Sequence, residues 1–482
     1  MAVQIMPAHI QLEDKAKKRA LLGIYLLWAH RVLYSFTTPV VLPVVMEGYD
    51  MMGWYAIQSG LAALLGCITA PIGGKLGDIF GRRKICVPLT GALLALTVLC
   101  ALKLSGPVFF VAYIMISFLN GVMSAYPISI ISDLSTTAER PRLVGLYATI
   151  NGVGMIVAML LGGMIADNLD PFLGFVLFTP VGVLGLIFLA IYYPNKPADH
   201  KVSVDRKGMI LMSCGVSAIL IWCFFGGVLF PRGSALGIAL LVVGVVLIVI
   251  LLRVEKRIKE PLIDLNMFRR KPFAQSALAC FLIAPMPTLC SSILILFGSM
   301  SLGLSNTVTG TLALPKNILF ALLPAILGTW LGRDFRRFRI IFLLCGMTTA
   351  VGSFIAAAWN VSTPILAIYL TMLLFGVSTS CQATAIQLYV QVSLPQEELG
   401  VAAAMVSFAG SIGGAIFNAA YNIVYNSKYA AAMELGGGEH LAHAISDVFS
   451  SMSVLTGVCG ALIVIVTLVL IPKGSGGIAE EN

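Results

Sequence analysis

The sequence predicts an all-α polytopic membrane protein with fourteen transmembrane helices. The 482-residue chain is 59% hydrophobic and only 11% charged, whereas about a quarter of the residues of a soluble protein are charged. Apolar runs of roughly 20 residues, the length that crosses a bilayer as a helix, recur along the whole chain. The short alternating segments typical of a transmembrane barrel are not visible.

The apolar runs define the fourteen predicted spans, and several are longer than about 20 residues, so tilted or kinked helices are expected. The chain begins with a polar segment, and the run that follows is too long for the apolar core of a signal peptide. We therefore expect a first spanning helix and a cytoplasmic N-terminus. The predicted spans are 21–46, 53–75, 85–105, 107–131, 143–166, 172–194, 208–229, 234–252, 273–299, 307–331, 340–359, 363–389, 400–427 and 449–471.

Positive charges predict the orientation of these spans. Of the 31 Lys and Arg residues, 26 lie in segments assigned to the cytoplasm and three lie outside, at Lys103, Arg232 and Lys428. The other two, Arg31 and Lys316, lie within spans. Because cytoplasmic loops of membrane proteins are enriched in Lys and Arg, we expect both termini on the cytoplasmic side of a cell membrane. The net charge of +9 then reflects topology and does not indicate nucleic-acid binding.

Two features recur between the two parts of the chain. The end of span two, 71–83, has a looser counterpart at 324–337, and the segment 139–145 before span five resembles 395–400 before span thirteen. This predicts two pseudo-symmetric six-helix halves with spans seven and eight inserted, and a substrate path at their interface near the bilayer midplane. The predicted domains are a cytoplasmic segment 1–20, the first half 21–200, the inserted helices 205–255, a cytoplasmic amphipathic connector 256–272, the second half 273–471 and a cytoplasmic tail 472–482.

A short charged loop joins spans two and three with the sequence PIGGKLGDIFGRRK. Asp78 can cap a helix end or face the positive N-terminus of another helix. Arg82 and Arg83 can pair with acids at the next cytoplasmic turn, which are Asp133 and Glu139. Such contacts would hold the cytoplasmic side closed in one state and break in the other. The predicted gating residues are Gly74, Asp78, Gly81, Arg82, Arg83 and Asp133.

The stretch from Gly74 to Arg83 resembles the Gly-x-Leu-x-Asp-x-x-Gly-Arg-Arg signature that major facilitator superfamily transporters carry between their second and third helices. The connector contains EPLIDLNMFR, from Glu260 to Arg269, which looks like the connector of the fourteen-helix drug:proton antiporter branch. Together with the repeat and the number of spans, the resemblance covers nearly the whole chain. It implies alternating access between inward-open and outward-open states.

Within the predicted spans, this sequence matches the family pattern at some positions and departs from it at others. The helix-packing glycines Gly145, Gly154, Gly162 and Gly163 in span five match the glycine pattern of the family's antiporter motif. The Gly-Pro pair of that motif falls on Ala158 and Met159. The family's first-helix Asp falls at about Tyr34, and its fourth-helix Arg falls on Ser117. These departures weaken the expectation of proton-coupled drug export and favour an anionic substrate.

Charged residues inside a membrane are costly and usually functional. Arg31 and Lys316 each lie about ten residues into a span, which at 1.5 Å per residue is roughly 15 Å deep. They are candidates for contacting substrate from opposite halves, and the alternative is that one of them snorkels or pairs with a helix-end carbonyl. His30, with an ordinary pKa of about 6.5, is a candidate proton carrier or a hydrogen-bonded core histidine.

Uncharged polar residues in the spans are further candidates for substrate contact. Each of them alone is more often a hydrogen-bonding link between helices than a ligand contact. The candidates are Tyr34, Asn120, Asn151, Gln382, Gln387, Asn418, Tyr421 and Asn422.

The expected function is secondary active transport of small amphipathic organic molecules by a monomer in the lipid bilayer, coupled to protons. Export of drug-like compounds and movement of organic anions, including uptake by symport or facilitation, both remain open. A non-transporting receptor or scaffold is the alternative from another class. No enzyme activity, cofactor or metal site is expected, because the histidines and cysteines have no metal-type spacing and no ATP-binding motif is present.

Overall fold

A computed structural model describes residues 13–124, 126–135, 139–194, 206–226, 230–231, 233–255, 265–331, 336–393 and 399–471. In these ranges every regular element of three or more residues is a helix, which confirms the all-α class. The tail, residues 1–12 and the first part of the connector, 256–264, lie outside the described residues. The rest of the connector holds a short 3-10 helix, Leu265–Arg269, and the start of the helix Lys271–Ile283.

The contact pattern divides the chain into two units, Met1–Met52 with Leu65–Val204, and Gly53–Leu64 with Asp205–Asn482. The helices of the chain up to Val204 are α1 (Asp14–Gly48), α2 (Tyr55–Phe80), α3 (Arg82–Ala101), α4 (Gly106–Val122), α5 (Tyr126–Leu134), α6 (Arg140–Asn168), α7 (Leu173–Val176) and α8 (Thr179–Tyr192). The first turns of α2, through Leu64, belong to the second unit.

The remaining helices all belong to the second unit. They are α9 (Arg206–Phe225), α10 (Ala235–Glu255), α11 (Lys271–Ile283), α12 (Pro285–Thr288), α13 (Leu294–Leu296), α14 (Asn306–Thr311), α15 (Leu314–Leu331), α16 (Arg337–Ala357), α17 (Ile365–Ser393), α18 (Leu399–Glu434) and α19 (Glu439–Leu470).

Helices occupy each of the fourteen predicted ranges, although four ranges hold broken helices. Within the described residues, nine helices are long and apolar enough to cross a membrane. The number of fourteen crossings stays a prediction. In span nine the segments Leu289–Ile293 and Phe297–Ser301 are π-helical, a local distortion that is frequent at functional sites.

In the first unit, α1 packs closely along α6 and α8, because glycines face it. A Cβ atom on Gly185 of α8 would lie 2.8 Å from the backbone nitrogen of Leu27, and one on Gly154 of α6 would lie 2.7 Å from Val32. Thr37 donates a hydrogen bond of 3.0 Å to the Ala158 carbonyl of α6. These contacts fix the position of α1.

In the second unit, the closest helix pair is α16 with α19. A Cβ atom on Gly460 would lie 2.6 Å from the backbone nitrogen of Ala350, and one on Gly346 would lie 2.9 Å from the Gly460 carbonyl oxygen. Thr349 of α16 and Ser378 of α17 share a hydrogen bond of 2.5 Å. Small residues therefore set the helix spacing in this unit as well.

The close approach of α1 and α8 predicts that Gly185→Ala lowers the melting temperature Tm of the detergent-solubilised protein. The added methyl group would meet the α1 backbone, and overpacking of this kind costs about 1–3 kcal/mol. Gly91→Ala is the matched control, since its nearest neighbour would be Leu186 Cδ2 at 3.9 Å. Equal Tm values for the two variants, measured by intrinsic fluorescence, would contradict the packing argument.

Candidate functional site

The first unit contains a small cavity, with a volume of about 40 Å³. It is bordered by α1, α3, the end of α4 and the start of α5. None of the thirteen residues that line it is acidic. They are Ile24, Leu27, Trp28, His30, Arg31, Tyr34, Cys86, Thr90, Leu93, Asn120, Met123, Tyr126 and Pro127.

Arg31 is the only cationic side chain among these lining residues. Its Nη2 atom donates a hydrogen bond of 2.7 Å to the backbone carbonyl of Asn120, in the last turn of α4. This matches the alternative expectation of pairing with a helix-end carbonyl. A guanidinium has five N–H donors, however, and no carboxylate of the described residues pairs with it. Arg31 is therefore a cavity-lining cation with donors left for an anion.

Trp28 makes one wall of the cavity aromatic. It lies three residues before Arg31, on the same face of α1, and the guanidinium carbon is 5.6 Å from the centroid of its ring. The indole stacks on Tyr147 of α6, with ring centroids 4.3 Å apart and an angle of 24° between the planes. The buried indole N–H of Trp28 has no hydrogen-bond partner among the described residues.

His30 is 3% exposed, and its Nδ1 atom lies 2.9 Å from the Phe178 carbonyl oxygen. Because a carbonyl only accepts hydrogen bonds, Nδ1 carries the hydrogen and Nε2 is the acceptor of the neutral ring. Nε2 is buried and has no partner among the described residues. The ring packs on Gly182 of α8, where a Cβ atom would lie 3.0 Å from the imidazole Cγ. His30 is thus a hydrogen-bonded core residue whose Nε2 atom makes no hydrogen bond to a described residue.

Tyr34 completes the polar part of α1 at this site. Its side chain is buried, and its ring centroid is 6.2 Å from that of His30 and 6.3 Å from that of Phe175. At the position where the family resemblance expects an acid, the structure therefore places a phenol within an aromatic and imidazole cluster.

Lys316 lies in the second unit, in the first turn of α15 after the break at Leu312 and Ala313. It is 8% exposed and forms no hydrogen bond or ion pair with a described residue. Cys290 lies near enough to interact with its charge. Arg31 and Lys316 belong to different units, and their facing one substrate path stays a prediction.

The other predicted contact residues are divided between the two units. Asn151 is partly buried in α6, and Gln382 is partly buried in α17, where it interacts with Cys280. Asn418 and Tyr421 lie on α18 of the second unit. The side chain of Gln387 lies outside the described residues.

Sequence reasoning did not assign Trp28 or Tyr147 to the site. The spacing of three residues between Trp28 and Arg31 was a readable signal, since such residues share a helix face. Tyr147 left no comparable signal, because its stacking depends on how α6 packs against α1.

At the loop between α2 and α3, Arg82 forms an ion pair of 2.5 Å with Asp133 at the end of α5. Asp133 also accepts a hydrogen bond of 2.6 Å from Tyr193, just after α8. Arg82 in addition donates to the Ser129 carbonyl at 3.1 Å. One carboxylate thus links three helices, and the gating role of these residues stays a prediction.

The other residues of the predicted gate have different partners. Arg83 donates to the Ala190 carbonyl of α8, and Glu139 pairs with Lys17 of α1 at 2.7 Å. Gly81 has φ of 92°, a left-handed conformation that favours glycine, and it forms the expected turn. The side chain of Asp78 and the surroundings of Gly74 lie outside the described residues.

The glycines of span five have distinct positions. Gly154 and Gly162 face α1, where a Cβ atom on Gly162 would lie 3.2 Å from the Thr37 carbonyl oxygen. Gly163 is buried. The surroundings of Gly145 lie outside the described residues, and the part these glycines play in antiport stays a prediction.

A sequence model of the Major Facilitator Superfamily matches residues 26–418. Multidrug transporter protein MdtP of Bacillus subtilis (strain 168) is 26% identical over 411 residues, which cover 83% of this chain and 74% of that protein. Multidrug resistance protein 3 of the same organism is 24% identical over 341 residues, 69% of this chain and 64% of that protein, less than two thirds of its length.

A solved structure of a POT family transporter in complex with a thioalcohol-conjugated peptide has the same fold. Its TM-score to this chain is 0.68 at 14% sequence identity, and the match covers 94% of this chain and 97% of that one. At this identity the likeness concerns the fold alone.

Because the carboxylate of Asp133 links three helices, we expect Asp133→Asn to lower the Tm of the detergent-solubilised protein clearly. The substitution removes the charge that holds Arg82, and hydrogen bonds to charged groups contribute about 1.5–3 kcal/mol. Asp447→Asn is the matched control. Asp447 pairs with Lys428 at 2.9 Å, but its side chain is 60% exposed, and such surface pairs contribute about 0–1 kcal/mol. A larger loss of Tm in the control would show that the link is not structural.

Proposed function

Because the chain belongs to the Major Facilitator Superfamily, as a transporter and not an enzyme, we propose that it carries small amphipathic organic anions across the membrane by alternating access. The single observation behind the choice of an anion is Arg31, a cation that lines a cavity and has no carboxylate partner among the described residues. An arginine stays charged in proteins. A charge held inside a spanning helix is costly unless a partner compensates it.

An anionic group of the substrate is the partner that fits Arg31. The guanidinium is planar and presents parallel N–H groups, which match the two oxygens of a carboxylate. One N–H group is used by the Asn120 carbonyl, and this bond holds the guanidinium at the end of α4. The anion would then bind to an already oriented donor set, which lowers the entropic cost of binding.

The apolar part of the substrate would lie against the aromatic wall. Trp28 is held flat by its stacking on Tyr147, while Ile24, Leu27 and Leu93 supply aliphatic surface around it. A cation beside apolar and aromatic surface suits a molecule with an anionic head and a ring or chain. This is the amphipathic character in the proposal.

The relatives support export as the direction of transport, since their names describe multidrug transport and multidrug resistance. Export of cationic drug-like compounds is the second candidate function. It would need no contact with Arg31, so the two candidates make opposite predictions for substitutions there. A membrane receptor or scaffold would transport neither class of compound.

Further proposals concern topology and coupling. We propose fourteen crossings with both termini in the cytoplasm, from the distribution of Lys and Arg, and a monomeric transporter. We also propose coupling to protons through His30, because its Nε2 atom is a buried acceptor with no partner in the described part of the chain, in an imidazole that titrates near neutral pH when unperturbed.

Transport of 2-naphthoate into proteoliposomes tests the anion proposal. Arg31→Gln is expected to lower kcat/KM at least tenfold, because the variant keeps a polar, uncharged side chain on α1 but loses the charge and the paired donors. Arg253→Gln is the control, since Arg253 is an exposed cation in the last turn of α10, and it should behave like the parent protein. The second candidate would be favoured if the protein transports the cation ethidium but not 2-naphthoate, and if Arg31→Gln leaves ethidium transport unchanged.

Coupling is tested with His30→Gln under an imposed pH gradient. Gradient-driven accumulation of 2-naphthoate should be lost, whereas exchange of labelled for unlabelled substrate without a gradient should remain within about threefold of the parent. Equal gradient-driven accumulation by parent and variant would exclude His30 as the proton carrier.

A further inference from the structure

A second polar surface lies on α18 of the second unit. Asn418, Tyr421, Asn422, Tyr425 and Asn426 follow the pattern i, i+3, i+4, i+7 and i+8, so they share one face of the helix. We refer to these five residues as the α18 polar face. Tyr421, Asn422 and Tyr425 are 0% exposed, and Asn418 and Asn426 are partly buried.

Each residue of the α18 polar face has a polar atom that is shielded from solvent and has no hydrogen-bond partner among the described residues. Asn422 Nδ2 does donate to the Asn418 carbonyl at 2.7 Å, a bond within the helix. Buried polar groups in proteins are almost always hydrogen-bonded, so several unused ones on one face indicate a surface built for a polar ligand. The unused atoms are Asn418 Oδ1, Tyr421 Oη, Asn422 Oδ1, Tyr425 Oη and Asn426 Nδ2.

The same face carries a ladder of aromatic rings. The ring centroids of Tyr421 and Tyr425 are 5.6 Å apart, and those of Tyr425 and Tyr429 are 5.5 Å apart with an angle of 18° between the planes. Tyr55, which is 2% exposed and belongs to the same unit, lies near both Tyr421 and Tyr425. Rings at this spacing present apolar surface beside the phenol hydroxyls.

The chemistry of this face differs from that of the Arg31 cavity. Phenol and carboxamide groups donate and accept hydrogen bonds without carrying charge at neutral pH. A site of this kind selects strongly for a matching hydroxyl or carbonyl, because a ligand that lacks it leaves the buried groups of the protein unpaired.

We propose that the α18 polar face is a second ligand-binding site, which recognises an uncharged hydrogen-bonding group on a ring. The use of this site during transport rests on the function proposed above. Its ability to bind such a group does not depend on that function. The site binds neutral ring compounds that carry a hydroxyl group, and it does so independently of Arg31.

Binding of the neutral probe 2-naphthol to the purified, detergent-solubilised protein tests the site directly, with isothermal titration calorimetry as the readout. Tyr421→Phe/Tyr425→Phe removes two hydroxyls and keeps both rings. We expect it to weaken 2-naphthol binding about tenfold or more. Tyr369→Phe is the matched control, because the hydroxyl of Tyr369 in α17 is already bonded to Thr311 at 2.6 Å, and it should leave binding unchanged.

Three results of the binding measurement would overturn the site: no saturable binding of 2-naphthol to the parent protein, equal binding by the parent and the double variant, or loss of binding in Arg31→Gln. The Tm of the ligand-free protein distinguishes a ligand-binding role of the two hydroxyls from a structural role. Removing hydroxyls that have no hydrogen-bond partner within the described ranges should leave Tm unchanged or raise it. A fall of several degrees in the double variant, beyond that of Tyr369→Phe, would assign the hydroxyls to structure and overturn the site.

Failure of the transport proposal has a different signature. In that case 2-naphthoate transport is absent or insensitive to Arg31→Gln, while 2-naphthol binding still depends on Tyr421 and Tyr425. If both proposals hold, the parent transports 6-hydroxy-2-naphthoate with a higher kcat/KM than 2-naphthoate, and the double variant reduces that ratio about tenfold. An unchanged ratio would overturn the use of the site in transport.

Discussion

The site in the first unit depends on one constraint, which is the guanidinium of Arg31 held in α1 with no carboxylate partner among the described residues. The Asn120 carbonyl takes one of its hydrogen bonds, and the ring of Trp28 lies beside its charge. Neither partner neutralises it, since the carbonyl and the ring carry no net charge. The cavity therefore remains positive, and this selects the chemistry of a ligand that can enter it.

The position of α1 follows from close helix packing. Gly185 lets the backbone of α8 approach Leu27, and Gly154 lets α6 approach Val32. With α1 held on both sides, Arg31 is directed toward the end of α4 and His30 toward Phe178 of the segment before α8. Small residues at helix contacts, which have no charge and no ligand role, thus determine where the functional groups lie.

The two units present different polar chemistry. The first combines a cation with an aromatic wall, and the α18 polar face of the second offers uncharged donors and acceptors beside a ladder of tyrosines. A charge contact supplies attraction over a distance, whereas neutral hydrogen bonds discriminate between closely similar ligands. A transporter with both can bind a broad class of amphipathic molecules and still distinguish its members.

The sequence alone determined the all-α membrane class and the positions of the helices, because apolar length and loop charge are local properties of the chain. It also singled out Arg31 and Lys316 as candidates, since a charge stands out in an apolar run. The partners were decided by the tertiary structure. Arg82 meets Asp133 while Glu139 meets Lys17, and Trp28 rests on Tyr147, because side-chain pairing depends on which helices meet and at what height. The spacing of Asn418, Tyr421 and Tyr425 was readable in the sequence, but their burial without partners exists only in the packed unit.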